Sequence, residues 1–223
     1  MIEHILHPRI TDNKDWATFL FVLSFAIIAL TKSVYENRFG DFMNLLFSDK
    51  YNKVYRDGSH LKSGFTISLF FAQVISFAFF IQLSLSLFGL ASKTDFIFYI
   101  QIITFLIFFI LSKYLVEKII ATAFNIEDFV EQFNLQKVTY RTYIGLIILP
   151  INIILFYYDT ISRIIPLIII ATVLILNIIT YLISIKKYQN LIFGKLFYFI
   201  LYLCTLEIAP YFFMYYLITK GGA

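Results

Sequence analysis

Residues 64–90 read GFTISLFFAQVISFAFFIQLSLSLFGL, a stretch without a single charged side chain. As an α-helix it extends about 40 Å at 1.5 Å per residue, more than the hydrocarbon core of about 30 Å. Five further apolar stretches flank it, giving six expected spans: 16–35, 64–90, 96–118 (apolar to Ser112), 140–158, 164–185 and 196–218. Each is long enough to cross a bilayer with some tilt or local thinning. The expected fold is therefore all-α: one polytopic membrane domain covering residues 1–223. Composition agrees, with 60% hydrophobic residues, 14% charged and a mean hydropathy of +0.82, far from the soluble norm.

The basic residues sort to one side of this arrangement. Lys32, Arg38, Lys50, Lys53, Arg56 and Lys62 lie between the first two spans. Lys113, Lys118, Lys137 and Arg141 lie between the third and fourth, and Lys186, Lys187 and Lys195 between the last two. The opposite side holds only Arg9, Lys14, Lys93, Arg163 and Lys220. Lysine and arginine are retained in the cytoplasm, so both termini are expected outside. The same rule assigns the pI near 9.0 to a membrane face rather than to nucleic acid. The N-terminal tail mixes Glu3, Arg9, Asp12, Lys14 and Asp15 and has no cleavage pattern, so no signal peptide is expected. Cys204 is the lone cysteine, which excludes an intramolecular disulfide. Trp16, Tyr99, Tyr114, Tyr140, Tyr143, Tyr157 and Tyr158 fall near span ends, where rings with a polar tip favour headgroup depth.

Two connecting segments carry helical periodicity. Phe39, Phe42, Met43, Leu46 and Phe47 recur on one face, flanked by Arg38, Lys50, Lys53 and Arg56. This predicts an amphipathic helix at the cytoplasmic interface, either lying on lipid or docking a partner protein. In residues 124–137, Asn125 and Asp128 resemble a helix cap. Ile126, Phe129, Val130 and Phe133 then form a stripe opposite Glu127, Asp128, Glu131 and Gln132. This acidic helix suits pairing with the basic one. Lys113 and Glu117, four apart, share a face of the third span's end and are expected to snorkel.

Inside the spans, Glu207 is the one deep acid, followed by Pro210, which cannot continue the helix ladder. Counting from the cytoplasmic basic residues places Gln73, Gln101, Asn152 and Asn177 at similar depth, with Pro150 interrupting the fourth span. Such a belt has two readings. Amides bridge helices in lipid, and intramembrane acids beside broken helices mark proton or solute paths. The prolines find no counterparts in the other half of the chain, so inverted repeats do not support the transport reading. His4 and His7 with Glu3 are too few for a metal site. The chain shows no nucleophile elbow, phosphate loop or magnesium-binding aspartate pair, so neither an enzyme nor a cofactor is expected.

The C-terminal stretch Leu201-Tyr202-Leu203-Cys204-Thr205-Leu206-Glu207-Ile208-Ala209-Pro210 resembles the closing motif of an uncharacterised family of Bacteroidetes integral membrane proteins, a domain of unknown function. Arg38–Arg56 and the Lys113–Glu117 region are similar to it as well. The resemblance implies an inner-membrane helical protein with a shared Leu-Glu-Ile-x-Pro element and brings no activity, substrate or cofactor. Two functions follow as expectations. The first is a non-enzymatic subunit or scaffold of a larger envelope complex, partnered by lipid and other membrane proteins; lineage-specific secretion or motility machinery is one such assembly. The second is a small proton-coupled carrier using Glu207.

Overall fold

The computed structural model describes residues 14–45, 50–55, 63–89, 91–123, 125, 127–158 and 164–187. All regular structure among them is helical: α1 Asp15–Val34, α2 Glu36–Met43, α3 Lys50–Val54, α4 Gly64–Leu87, α5 Phe96–Ala123, α6 Glu127–Tyr157 and α7 Ile164–Lys187. Four helices are long and apolar enough to cross a membrane: α1, α4, α5 and, from Val130, α6. α7 carries a shorter apolar stretch, Leu167–Thr180. The expected span at 196–218 lies outside the described residues.

α4 and α6 form the centre. α4 packs on α1, α5 and α6, and α6 also receives α5 and α7. A charge-free helix such as α4 has no polar face to turn outward, so it takes the interior position. Half of its most apolar window is buried, against 11% for α5. Near the start of α1, Trp16 stacks on Phe79 at 5.7 Å and lies 5.1 Å from Tyr99. Phe21 stacks on Phe79 at 4.2 Å, and Phe156 completes the cluster. Offset and tilted aromatic pairs of this kind add to simple burial. Tyr99 is therefore a core residue, whereas Tyr157 and Tyr158 are exposed.

Short loops set the helix order. Ser63 caps α4, its hydroxyl accepting from the Thr66 amide. Gly89, at φ +74°, provides the left-handed turn after α4, a conformation that glycine adopts without penalty. Asp95 caps α5 by accepting from the amides of Ile97 and Phe98. Asn125 stands at φ 54° just beyond α5, its amide donating to the Thr122 carbonyl. It closes the preceding helix, where asparagine tolerates the left-handed region.

α6 corrects one expectation and holds Pro150 within its length. The acidic segment at 124–137 is no separate interfacial helix, because α6 runs without a break from Glu127 through the fourth span. Pro150 lies inside α6 on an exposed face and does not end it. It removes one backbone donor, a loss that a long helix tolerates when its neighbours pack around it.

Candidate functional site

The connection between α1 and α4 folds back onto the bundle. Phe39, Phe42 and Leu45 are buried, and Phe42 packs edge-on against Tyr51, Phe65 and Tyr143. α2 stops at Met43, so the expected stripe does not continue as a helix. Met43 is exposed, Leu45 takes its place inside, and Leu46 and Phe47 lie outside the described residues. The apolar face of α2 thus meets this chain's own helices. Tyr140 and Tyr143 are buried there too.

Arg38 was expected as a basic flank and is instead the buried hub of this corner, 8% exposed. Its guanidinium donates to Ser63 Oγ at 2.8 Å, to the Tyr51 hydroxyl at 3.3–3.4 Å and to Thr66 Oγ1 at 3.4 Å. It also lies over the rings of Phe65 at 4.5 Å and Tyr55 at 4.9 Å. Burial pushes the Tyr51 hydroxyl above its ordinary range, and the neighbouring Arg38 only partly opposes this. Lys50 reaches Asp41 at 2.8 Å and is exposed, its pKa raised by that carboxylate. Lys53 is exposed, and Arg56 lies outside the described residues. Replacing Arg38 with lysine keeps the charge but loses the planar fork and its stacking. It should lower stability by about 1–3 kcal/mol, read from the thermal midpoint in detergent.

The amide belt divides. Gln73 and Asn152 are fully buried, and each bonds across the α4–α6 seam. Thr142 Oγ1 donates to Gln73 Oε1 at 2.7 Å. Ser76 Oγ donates to the Gly145 carbonyl at 2.7 Å, and Asn152 Nδ2 donates to the Ser76 carbonyl at 2.7 Å. Gly145 permits this approach: a Cβ there would lie 2.9 Å from Gln73 Cγ and 3.3 Å from its Cα. Small residues at such a crossing let two backbones close in lipid. Asn152 Oδ1 is buried with no hydrogen-bond partner. Gln101, by contrast, is exposed on α5, and Asn177 is half-buried and donates to Val173 of its own helix. Glu207 and Pro210 lie outside the described residues. Asn152→Ala should cost about 1–2 kcal/mol, the upper range for such interhelical bonds, as measured by unfolding in mixed micelles.

A second polar contact joins α5 to α6. Lys137 Nζ lies 3.5 Å from Glu117 Oε1, with the two side chains only 11% and 5% exposed. Lys137 also sits 4.8 Å from the Phe133 ring. Glu117 therefore turns inward to the neighbouring helix instead of snorkelling. Sequence reasoning missed this pair, along with Ser76, Thr142 and Gly145. The available signals were a serine three residues after Gln73 and a glycine three after Thr142.

The seam holds amides, hydroxyls and backbone carbonyls, a set that fixes helix positions without exchanging protons near neutral pH. Among the described residues, no three His, Cys, Asp or Glu side chains gather as metal ligands would. Long apolar helices joined by a buried polar seam define an integral helical membrane protein. The chain belongs to the family described as Domain of unknown function (DUF4271), which matches residues 17–218. No curated protein and no solved structure matches the chain.

Proposed function

We propose that this protein is a non-enzymatic subunit that scaffolds other membrane proteins in a larger complex of the bacterial inner membrane. In this reading the chain has six spans with both termini outside, and the α2–α3 corner faces the cytoplasm. The resemblance to Bacteroidetes proteins makes a lineage-specific envelope assembly, such as secretion or motility machinery, the setting. One observation carries the proposal: Gln73 and Asn152, the buried amides of the belt, bond across a tight α4–α6 seam. Amides held in this way stabilise a bundle and leave its surfaces for association. α5 and α7 supply such surfaces, with Ile97, Phe105 and Phe108 exposed on one and Leu167, Leu174 and Ile178 on the other.

The alternative is a proton-coupled carrier using Glu207. It draws on the unpartnered Asn152 Oδ1, an acceptor that suits a protonated carboxyl. Reconstitution into liposomes loaded with a pH-sensitive dye separates the two readings. The scaffold reading expects the same slow proton leak from wild type and Glu207→Gln. A leak that the protein accelerates and Glu207→Gln abolishes would favour the carrier.

A further inference from the structure

Between α5 and α6 lies a small cavity of about 20 Å³, walled mostly by apolar atoms. Tyr114 and Lys118 of α5 line one wall, and Glu127, Glu131 and Asn134 of α6 the other. The volume suffices for one water-sized group. Asn134 lines the cavity and is 4% exposed, and its Oδ1 is a buried acceptor with no partner. Neither Glu127, which is exposed, nor Glu131 forms an ion pair among the described residues. These three side chains offer acceptors to a hydrogen-bond donor, and the two carboxylates favour a positively charged one. Lys118 is exposed at the rim and offers one cation beside these acceptors.

The position relative to the bilayer narrows the occupant. Tyr114 stands two residues beyond Ser112, where the apolar stretch of α5 ends. This offset is about 3 Å along the helix, within a headgroup layer of about 5–8 Å on each side of the core. On α5, Leu111, Leu115 and Ile119 form an exposed apolar stripe leading from the span to the level of Lys118. A bare cation would gain from the carboxylates but be opposed by Lys118, and an anion would meet two acids. A zwitterion with a compact ammonium and a phosphate satisfies both sets of groups.

We propose that this cleft binds the headgroup of an aminophospholipid of the phosphatidylethanolamine type. Its primary ammonium enters the cavity toward Asn134 Oδ1, Glu127 and Glu131. Its phosphate meets Lys118, and an acyl chain follows the stripe on α5. A trimethylated ammonium has no N–H to donate and exceeds a water-sized cavity, so phosphatidylcholine is excluded by the same chemistry.

Native mass spectrometry of the full-length protein, released from mixed micelles with equal dioleoyl-phosphatidylethanolamine and dioleoyl-phosphatidylcholine, tests this. The expected result is retention of the ethanolamine lipid over choline by about tenfold, the scale of a charged hydrogen bond. Glu131→Gln and Asn134→Ala should each bring the ratio close to parity. Lys118→Gln, an exposed change that keeps the bundle folded, should weaken retention of both lipids. Equal retention by wild type, or a preference unchanged in Glu131→Gln, overturns the site. Lipid-free protein stabilised by potassium or ammonium chloride, with the effect lost in Glu131→Gln, would make it a free-cation site and overturn the lipid.

Discussion

Gly145→Leu is expected to destabilise the protein by about 3 kcal/mol, the upper range for overpacking a closed interface. Even the Cβ of alanine would approach Gln73 Cγ to 2.9 Å and the Gln73 Cα to 3.3 Å. The first contact is relieved by a side-chain adjustment, but the second involves backbone and requires α4 and α6 to separate. Separation stretches three contacts together: Thr142 to Gln73, Ser76 to Gly145 and Asn152 to Ser76. Gly145→Ala should cost about 1 kcal/mol, because alanine's helix preference of about 1 kcal/mol offsets part of the strain. Reversible unfolding in mixed micelles reads both. Gln73→Ala in the same chain removes the clashing Cγ, so the double variant should be more stable than the sum of the single changes. Wild-type stability in Gly145→Leu would mean that the seam is looser than described.

The second large effect belongs to Glu117 and Lys137. Glu117→Leu leaves the buried Lys137 ammonium without this carboxylate, and removing one partner of a buried pair costs about 3–5 kcal/mol. Lys137→Met should cost a similar amount for the converse reason. The double replacement should recover most of the loss, since apolar side chains of similar volume replace a buried ion pair at little net cost. A double-mutant cycle on the thermal midpoint measures this coupling. Additive losses would show that the two side chains do not act as a pair.

The helical membrane class was legible in the sequence because α4 lacks charge over its whole length and several other helices are long and apolar enough to cross a bilayer. Two of the candidate amides were legible as well, since Gln73 and Asn152 are both buried in the α4–α6 seam. Rotation was not: Gln101 was assigned a similar depth but sits on the exposed face of α5, because packing alone sets which way a helix turns. The acidic run before the fourth span looked like a separate surface helix. Yet Asn134, Gln136 and Thr139 are buried, so α6 extends beyond its apolar stretch to hold them against the bundle. Spacing put Lys113 and Glu117 on one helix face, whereas Lys137 comes from the next helix and only tertiary contact reveals it as a partner of Glu117. Phe39 and Phe42 were found by periodicity, but Arg38 was read as a solvated flank. Its neighbours Ser63, Thr66 and Phe65 lie far along the chain.

The central claim, that this bundle is a scaffold for other membrane proteins, is tested most directly by mild-detergent purification of the tagged protein from its native membrane. Wild type and Glu207→Gln are compared by quantitative mass spectrometry. The account predicts the same membrane proteins at fixed stoichiometry in both samples. A wild-type protein that purifies alone, alongside a folded Glu207→Gln variant that fails to restore growth, would contradict it.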